Sequence, residues 1–414
     1  MAGFGRLRHL GVDVDTTSAV KAVGRMDRWI DRVYRRILVN GHPDANHLTP
    51  LVAMYFYGRS FFLEDRPIPD SSKAAVKYFR GQATKYWLQL RRQSQGHLAI
   101  ALQRFGDAAT PKAIMRSIKE HSVSDEELGM FWRDTERSWW WYRAPIETQA
   151  LMVEAFDEVM HDDAAVDACQ VWLIKQKQTQ NWKTTKATAD ACYALLRRGA
   201  NRLASDLLLE VALGGKTIEP EHVEAGTGFY EKRFAPSDIR PEMGRIRLEK
   251  KDDGVAWASI HWQYFEEMSK VKPYKGTPLT LEKKLFVKKI TERGPVLEEV
   301  RGPIHVGDEL VVRVVLRVDR DMEYVHLKDQ RGSGTEPVDV LSGYRYRDGL
   351  AYYQMTRDTA SHFFIDYLPK GTYVFEYSLR VQHEGKYHSG IAEIECMYAP
   401  EFNSRSSSTR LVVE

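Results

Sequence analysis

Along residues 16–205 the apolar positions recur with a helical period. In Ser18–Leu38, the residues Val20, Val23, Met26, Trp29, Ile30, Val33, Tyr34, Ile37 and Leu38 follow one another mostly every three or four positions. Arg25, Arg28, Asp31, Arg32 and Arg35 lie between them, which makes one buried stripe and one wet face. Leu48–Leu63 is more apolar than the preceding helix along its length and reads as an inner helix with neighbours on several sides. Ser71–Leu90, His97–Phe105 and Thr110–His121 read as further helices, with Pro111 suited to a first helical position. Ser124-Asp125-Glu126-Glu127 has the capping-box pattern. Pro145 opens Ile146–Met160; Ala165–Gln176 and Thr185–Arg198 follow, the last with a threonine near its start and Gly199 as its stop. About eight or nine helices are expected, joined mostly by short loops.

After Ser205 the period shifts to two. Leu207, Leu209, Val211 and Leu213 alternate with Leu208, Glu210 and Ala212, and Gly244–Glu249, Val255–Phe265 and Leu279–Ile290 continue as strands. Beyond a Gly/Pro boundary at Arg293-Gly294-Pro295, Leu310, Val312, Val314, Leu316 and Val318 point one way while Val311, Arg313, Val315 and Arg317 point the other. Tyr373, Phe375, Tyr377, Leu379 and Val381 repeat the alternation, and His362–Leu368, Ile391–Tyr398 and Arg410–Val413 add further strands. Short strands at this spacing without a helix between them imply an antiparallel sandwich. The expected fold is therefore α+β and multidomain: a helical domain over 1–205, a small β linking domain over 206–292, and a β-sandwich over 293–414.

The 414 residues carry 60 Lys+Arg against 57 Asp+Glu, a net charge of +3 that gives no electrostatic argument for a nucleic-acid partner. Cys169, Cys192 and Cys396 match no disulfide framework or zinc spacing. The apolar run Val52–Leu63 is broken by Gly58, Arg59 and Ser60 and does not make a membrane span; Met1–Arg6 lacks the apolar core of a signal peptide. HExxH, GxSxG, Gly-rich phosphate-loop, paired CxxC and EF-hand patterns do not occur.

Several groups remain to be weighed as sites. Eight of the ten tryptophans (Trp29, Trp87, Trp132, Trp139, Trp140, Trp141, Trp172, Trp182) lie in the helical half. Trp139-Trp140-Trp141-Tyr142 could form a sugar platform, although packing between helix layers is the simpler use of such large rings. Asp134, Glu136 and Glu147 are candidate carboxylates for glycosidase or lyase chemistry, which needs two carboxyls about 5–9 Å apart across a cleft. Arg25, Arg28, Arg32, Arg35 and Arg36, with Arg91-Arg92, make basic faces that read as solvated surface. His42/His47 and His383/His388 show no helical metal spacing, and Cys169 and Cys192 read as small packed residues.

Gln176-Lys177-Gln178-Thr179-Gln180-Asn181-Trp182, followed by Thr184–Ala191, resembles the repeat junctions of α/α toroids, the double-ring fold of terpenoid cyclases, prenyltransferases and complement-like thioester domains. The cyclase turn QxxxGxW has Gln180 in place of its glycine here, and no DxDD acid motif is present. Trp140–Ala150 (WYRAPIETQA after the first Trp) resembles the toroid segment of the bacterial alpha-2-macroglobulins. Trp262–Glu266, Asp321–Asp329, Glu336-Pro337, Leu341–Tyr344, Asp348–Leu350 and Tyr352-Tyr353, and then Phe363–Ile365, Lys370–Tyr373 and Met397–Phe402, resemble the C-terminal macroglobulin-like domain of the same family. The resemblance extends over essentially the whole chain.

That resemblance implies a partial toroid, a linking β domain and a terminal macroglobulin-like sandwich. It implies an endopeptidase inhibitor of the periplasm or cell envelope, in which a bait segment is cut and the domains close around the attacker. It implies no catalytic residue, cofactor or metal, and proteinases as partners of the parent protein. Members that couple covalently carry Cys-x-x-Gln, which none of the three cysteines here introduces, so no thioester is expected. The chain is expected to be a C-terminal portion that works with the missing N-terminal part, and its helical ring is expected to have a gap. The alternative is a carbohydrate-active toroid enzyme with an appended sandwich, using Trp139–Trp141 and two of Asp134, Glu136 and Glu147. An adhesion module carried by residues 293–414 is a third reading.

Overall fold

The computed structural model describes residues 1–133, 144–197, 208–223, 229–251, 258–275 and 278–414. The chain divides into two compact units, residues 1–175 with 182–258, and residues 176–181 with 259–414.

In the first unit the helices described are α1 Ala2–His9, α2 Thr17–Asn40, α3 Pro50–Ser60, α4 Asp70–Tyr86, α5 Arg92–Arg104, α6 Ala109–Glu120, α7 Pro145–Ala155, α8 Asp163–Thr179 and α9 Thr185–Leu196. Alternate helices are neighbours: α3 packs on α5, α5 on α7 and α7 on α9, while α2 packs on α4. The first series forms an inner layer and the second belongs to an outer one. The sequence separates the two layers. Outer α2 buries Ala19, Val23, Asp27, Ile30 and Ile37, one stripe at helical spacing, whereas inner α7 buries every residue from Glu147 to Ala155. The inner helices come close together because Gly96 faces Met152; a Cβ at Gly96 would lie 2.4 Å from the Met152 methyl.

Local signals set the helix ends. The Thr49 and Thr184 side chains accept from the amides of Val52 (3.3 Å) and Ala187 (3.0 Å), capping α3 and α9. Helix α6 starts at Ala109, two residues before the expected Pro111, because Asp107 accepts from the amides of Ala109 (3.0 Å) and Thr110 (3.2 Å). The Ser124–Glu127 capping-box pattern opens no helix. It lies in a hairpin of β1 Val123–Asp125 and β2 Gly129–Phe131, because Asp125 accepts from Glu127 and Leu128 (2.9 and 2.8 Å), and Gly129, at φ +77°, takes a left-handed turn. Helix α1, which the sequence pattern did not predict, is tied in through Arg6, which bonds to Tyr57 of α3, Asp190 of α9 and Glu154 of α7.

A short sheet, β3 Glu210–Leu213, β4 Lys216–Thr217 and β5 Ile246–Glu249, follows the helices. Val255–Phe265 was expected as a strand; residues 252–257 lie outside the described residues, and 258–265 pair with nothing among the described residues and carry no strand. Among the described residues, none from 208 to 275 joins a hydrophobic core.

The sandwich comprises β6 Leu279–Thr291, β7 Gly294–Glu299, β8 Glu309–Val318, β9 Met322–Gln330, β10 Thr335–Pro337, β11 Gly343–Arg347, β12 Leu350–Thr356, β13 Ala360–Leu368, β14 Gly371–Val381, β15 Gly385–His388, β16 Ala392–Cys396, β17 Ala399–Arg405 and β18 Arg410–Val413. One sheet runs β10-β14-β8-β6-β7 and the other β11-β12-β13-β9-β16-β17, with antiparallel pairing throughout. The alternation read from the sequence fixes the inward faces: Leu310, Val312, Val314, Leu316 and Val318 are buried opposite Val325, Leu327, Phe363 and Ile365. The expected boundary at residues 292 and 293 falls in the turn between β6 and β7. Strand β6 pairs with β8 from Leu279 to Val287, so it is part of the sandwich.

Inside this apolar layer sits one ion pair. Lys283 on β6 donates to Asp329 on β9 (2.6 Å) and to the carbonyls of Gln330 (2.8 Å) and Ser389 (3.1 Å), while Tyr377 on β14 donates to the second Asp329 oxygen (2.6 Å). Both charged side chains are almost fully buried, and burial holds the Asp329 carboxyl above its ordinary range despite Lys283. The pair therefore links the two sheets. Asp329→Ala strands the lysine and is expected to cost about 3–5 kcal/mol, read from urea unfolding of the sandwich. Lys283→Met with Asp329→Leu should recover most of that loss, and a double variant as unstable as the single one would contradict this assignment.

Candidate functional site

In the middle of the helical unit the inner helices enclose charge. Glu154 near the end of α7 is 0% exposed. Its oxygens accept from Tyr57 of α3 (2.6 Å), Arg6 of α1 (3.3 Å) and Arg104 of α5 (2.9 Å). Arg6 also reaches Asp190 of α9 (2.5 Å), which takes Lys186 on its other oxygen (2.6 Å). After α7 the chain makes a single π-helical turn, Phe156–Met160, which carries Asp157 and Glu158. Arg104 and Arg197 both donate to Glu158 (2.5 and 2.7 Å), and Arg197 donates to Asp157 (2.6 Å). Four carboxylates thus meet four cations. The rings of Phe61 and Tyr193 lie 4.1 Å from Arg104 and 4.8 Å from Arg6.

The electrostatics of this cluster argue against proton transfer. Burial alone would raise Glu158, but its bonds from Arg104 and Arg197 outweigh that and hold it below the usual carboxyl range. Burial, then Glu154, lifts the Tyr57 hydroxyl well above its usual value. Burial, reinforced by Arg6 and Lys186, pushes His97 down to about 3, and burial also lowers His9. A general acid or base works best with a pKa near the operating pH, and these shifts all lead away from it. The cluster instead joins α1, α3, α5, α7 and α9 through buried charge-assisted bonds. A second pair, Arg59 to Asp27 (2.9 Å), with Tyr55 donating to the same oxygen (2.9 Å), fastens α3 to outer α2.

The residues weighed from the sequence lie elsewhere. Asp134, Glu136 and Trp139–Tyr142 fall outside the described residues. Glu147 is buried at the start of α7, with the Thr184 hydroxyl 3.5 Å away. Cys169 is buried and its thiol is pushed up by that burial; Cys396 is buried with its sulfur 3.4 Å from the Glu323 carbonyl; Cys192 is exposed on α9. On the basic face of α2, Arg35 donates to Asp31 (2.8 Å), and Arg92 lies 5.1 Å from the Trp132 ring. The His47 ring meets the His42 carbonyl at 2.7 Å, and His388 ends β15. Among the described residues no three His, Cys, Asp or Glu side chains are placed to hold a metal ion, and no helix is long and apolar enough to cross a membrane. Glu154, Arg6, Arg104 and Arg197 escaped the sequence reading. The available signal was an acid inside the otherwise apolar stretch Ala150–Phe156.

Glu154→Leu should leave Arg6 and Arg104 without their shared acceptor and lower the unfolding free energy of the helical unit by about 3–5 kcal/mol in urea titration. A second consequence concerns pH. Unfolded His97 takes up a proton near its ordinary 6.5, whereas the folded residue stays neutral down to about 3, so stability falls as pH drops through that window. Glu158 adds a loss at lower pH still, as it protonates through its depressed value. The urea midpoint should therefore drop between pH 7 and pH 5, and His97→Gln should drop less; equal drops would refute the role given to His97.

Residues 279–401, which span nearly the whole sandwich, match the bacterial alpha-2-macroglobulin MG10 domain. An alpha-2-macroglobulin homolog of Nostoc sp. is 22% identical over 295 residues, covering 67% of this chain and 15% of that protein. Two solved structures of Escherichia coli alpha-2-macroglobulin are also similar. The elastase-activated form is 15% identical with a TM-score of 0.39, covering 98% of this chain and 34% of that one. The trypsin-activated form is 12% identical with a TM-score of 0.40, covering 98% and 26%. The chain thus spans well under half the length of each of these proteins. By the MG10 match over residues 279–401 and the similarity to the Nostoc protein, the chain resembles the bacterial alpha-2-macroglobulins.

Proposed function

We propose that this chain is a mechanical scaffold of a proteinase trap, built of the C-terminal domains of a macroglobulin. The MG10 match over residues 279–401 carries the reading. In it, residues 1–205 serve as the toroid and the sandwich as a second rigid body, and a bait segment lies in an N-terminal portion with which the chain works. Proteolysis of the bait changes the relative positions of bodies that are each internally rigid. The rigidity comes from the Glu154 cluster in one unit and the Lys283–Asp329 pair in the other. The sequence holds no Cys-x-x-Gln, so this portion contributes no acyl bond to a captured proteinase, and retention is by enclosure. The cell envelope is the proposed location.

Enclosure has a recognisable signature in solution. Protein purified from its native source through a C-terminal tag, treated with a limiting amount of elastase or trypsin, should slow the proteinase on a large protein substrate. Cleavage of a small chromogenic peptide, which diffuses into the trap, should continue. Equal inhibition of both substrates, or of neither, would reject the reading.

A further inference from the structure

The outer face of the six-stranded sheet carries a notch that the trap reading does not use. In the β11–β12 hairpin, Tyr344 stands opposite Tyr353 and Tyr346 opposite Ala351. Across β12–β13, Tyr353 stands opposite Phe364, and Ala351 and Asp366 line one cavity with Tyr346. One row on this face therefore reads Tyr344, Tyr353, Phe364, and in the next Ala351 stands opposite Tyr346. A methyl group beside a tyrosine leaves a gap in the face. The resulting cavity of about 240 Å³ is closed at one end by Tyr367, whose hydroxyl donates to Asp321 (2.6 Å) and so fixes its ring.

The chemistry of the lining selects its occupant. Tyr344 and Tyr346 are 76% and 78% exposed, an unusual expenditure of aromatic surface on a sheet face. Asp366 is the one charged residue of the lining and has no ion-pair partner among the described residues. Ring faces are electronegative, and the carboxylate adds a full negative charge, so an anion is repelled. A neutral apolar group would desolvate the carboxylate without compensation. A cation sheathed in CH groups meets both demands, since its charge faces Asp366 while its alkyl surface lies against the rings. We infer that this notch is a binding site for an alkylammonium group. Two sources present that chemistry: a quaternary ammonium head group of the choline type, and a lysine side chain.

Saturation-transfer NMR on the full chain tests the site, with choline and Nα-acetyl-lysine methylamide as separate probes. Saturable transfer to the N-methyl or ε-methylene protons is expected, weakened about fivefold or more by Asp366→Asn and by Tyr346→Ala, and retained in Tyr346→Phe. Stronger binding of choline assigns a quaternary head group, and stronger binding of the lysine amide assigns a lysine. Asp366 is solvent-facing, so its variant should melt as the parent does and decides the matter even if Tyr346→Ala fails to fold. Saturation by neither probe, or binding unchanged in both weakening variants, overturns the inference.

Discussion

The helical unit depends on a single buried carboxylate. Glu154 lies in the otherwise apolar stretch Ala150–Phe156, and an ion there is tolerable only if each oxygen is satisfied by a donor fixed in place. Those donors are Tyr57, Arg6 and Arg104, from three other helices, and Arg6 extends the network to Asp190 on a fourth. The requirement is mutual, because each arginine needs its acid as much as the acid needs the arginines. Apolar packing alone lets inner helices slide, but a set of bonds that works in one arrangement fixes their register. This explains why the short helix Ala2–His9, which buries little beyond Gly5, nevertheless has a defined place.

The sandwich solves the same problem on a smaller scale. Its two inner faces are a nearly unbroken layer of Val, Leu, Ile and Phe, which specifies burial but tolerates shifts of one sheet over the other. Lys283 and Asp329, with Tyr377 on the second carboxylate oxygen, give that layer one unique alignment. In both units the central charges are paired, and the apolar surroundings strengthen each bond.

Two internally locked bodies are what a trap needs if it is to move as a set of rigid parts, and this connects the packing to the proposed function. The stretch between residues 208 and 275 has the opposite character. Its strands are two to four residues long, and Trp262, Tyr264 and Phe265 are exposed. The physics that makes the rest of the chain rigid, apolar side chains gathered around a satisfied charge, is missing there among the described residues.

Periodicity by itself determined most of the elements. An apolar stripe every three or four residues can be buried only as a helix, and strict alternation only as a strand. For that reason α2 through α9 and the long strands β6, β8 and β14 lie close to where the pattern puts them. The residues of the MG10 region, such as Asp321–Asp329 and Lys370–Tyr373, made the resemblance legible too. What the pattern could not decide were outcomes that depend on distant partners. Ser124–Glu127 has the residues of a helix cap, yet Asp125 and Gly129 bend it into a hairpin, and the alternation at 258–265 makes no strand without a neighbouring strand. The Glu154 cluster draws residues from positions 6, 57, 104, 154 and 190, and no local window contains two of its helices. Only the tertiary structure could bring them together, because a charge that is costly to bury alone becomes stable once its partners arrive from elsewhere in the chain.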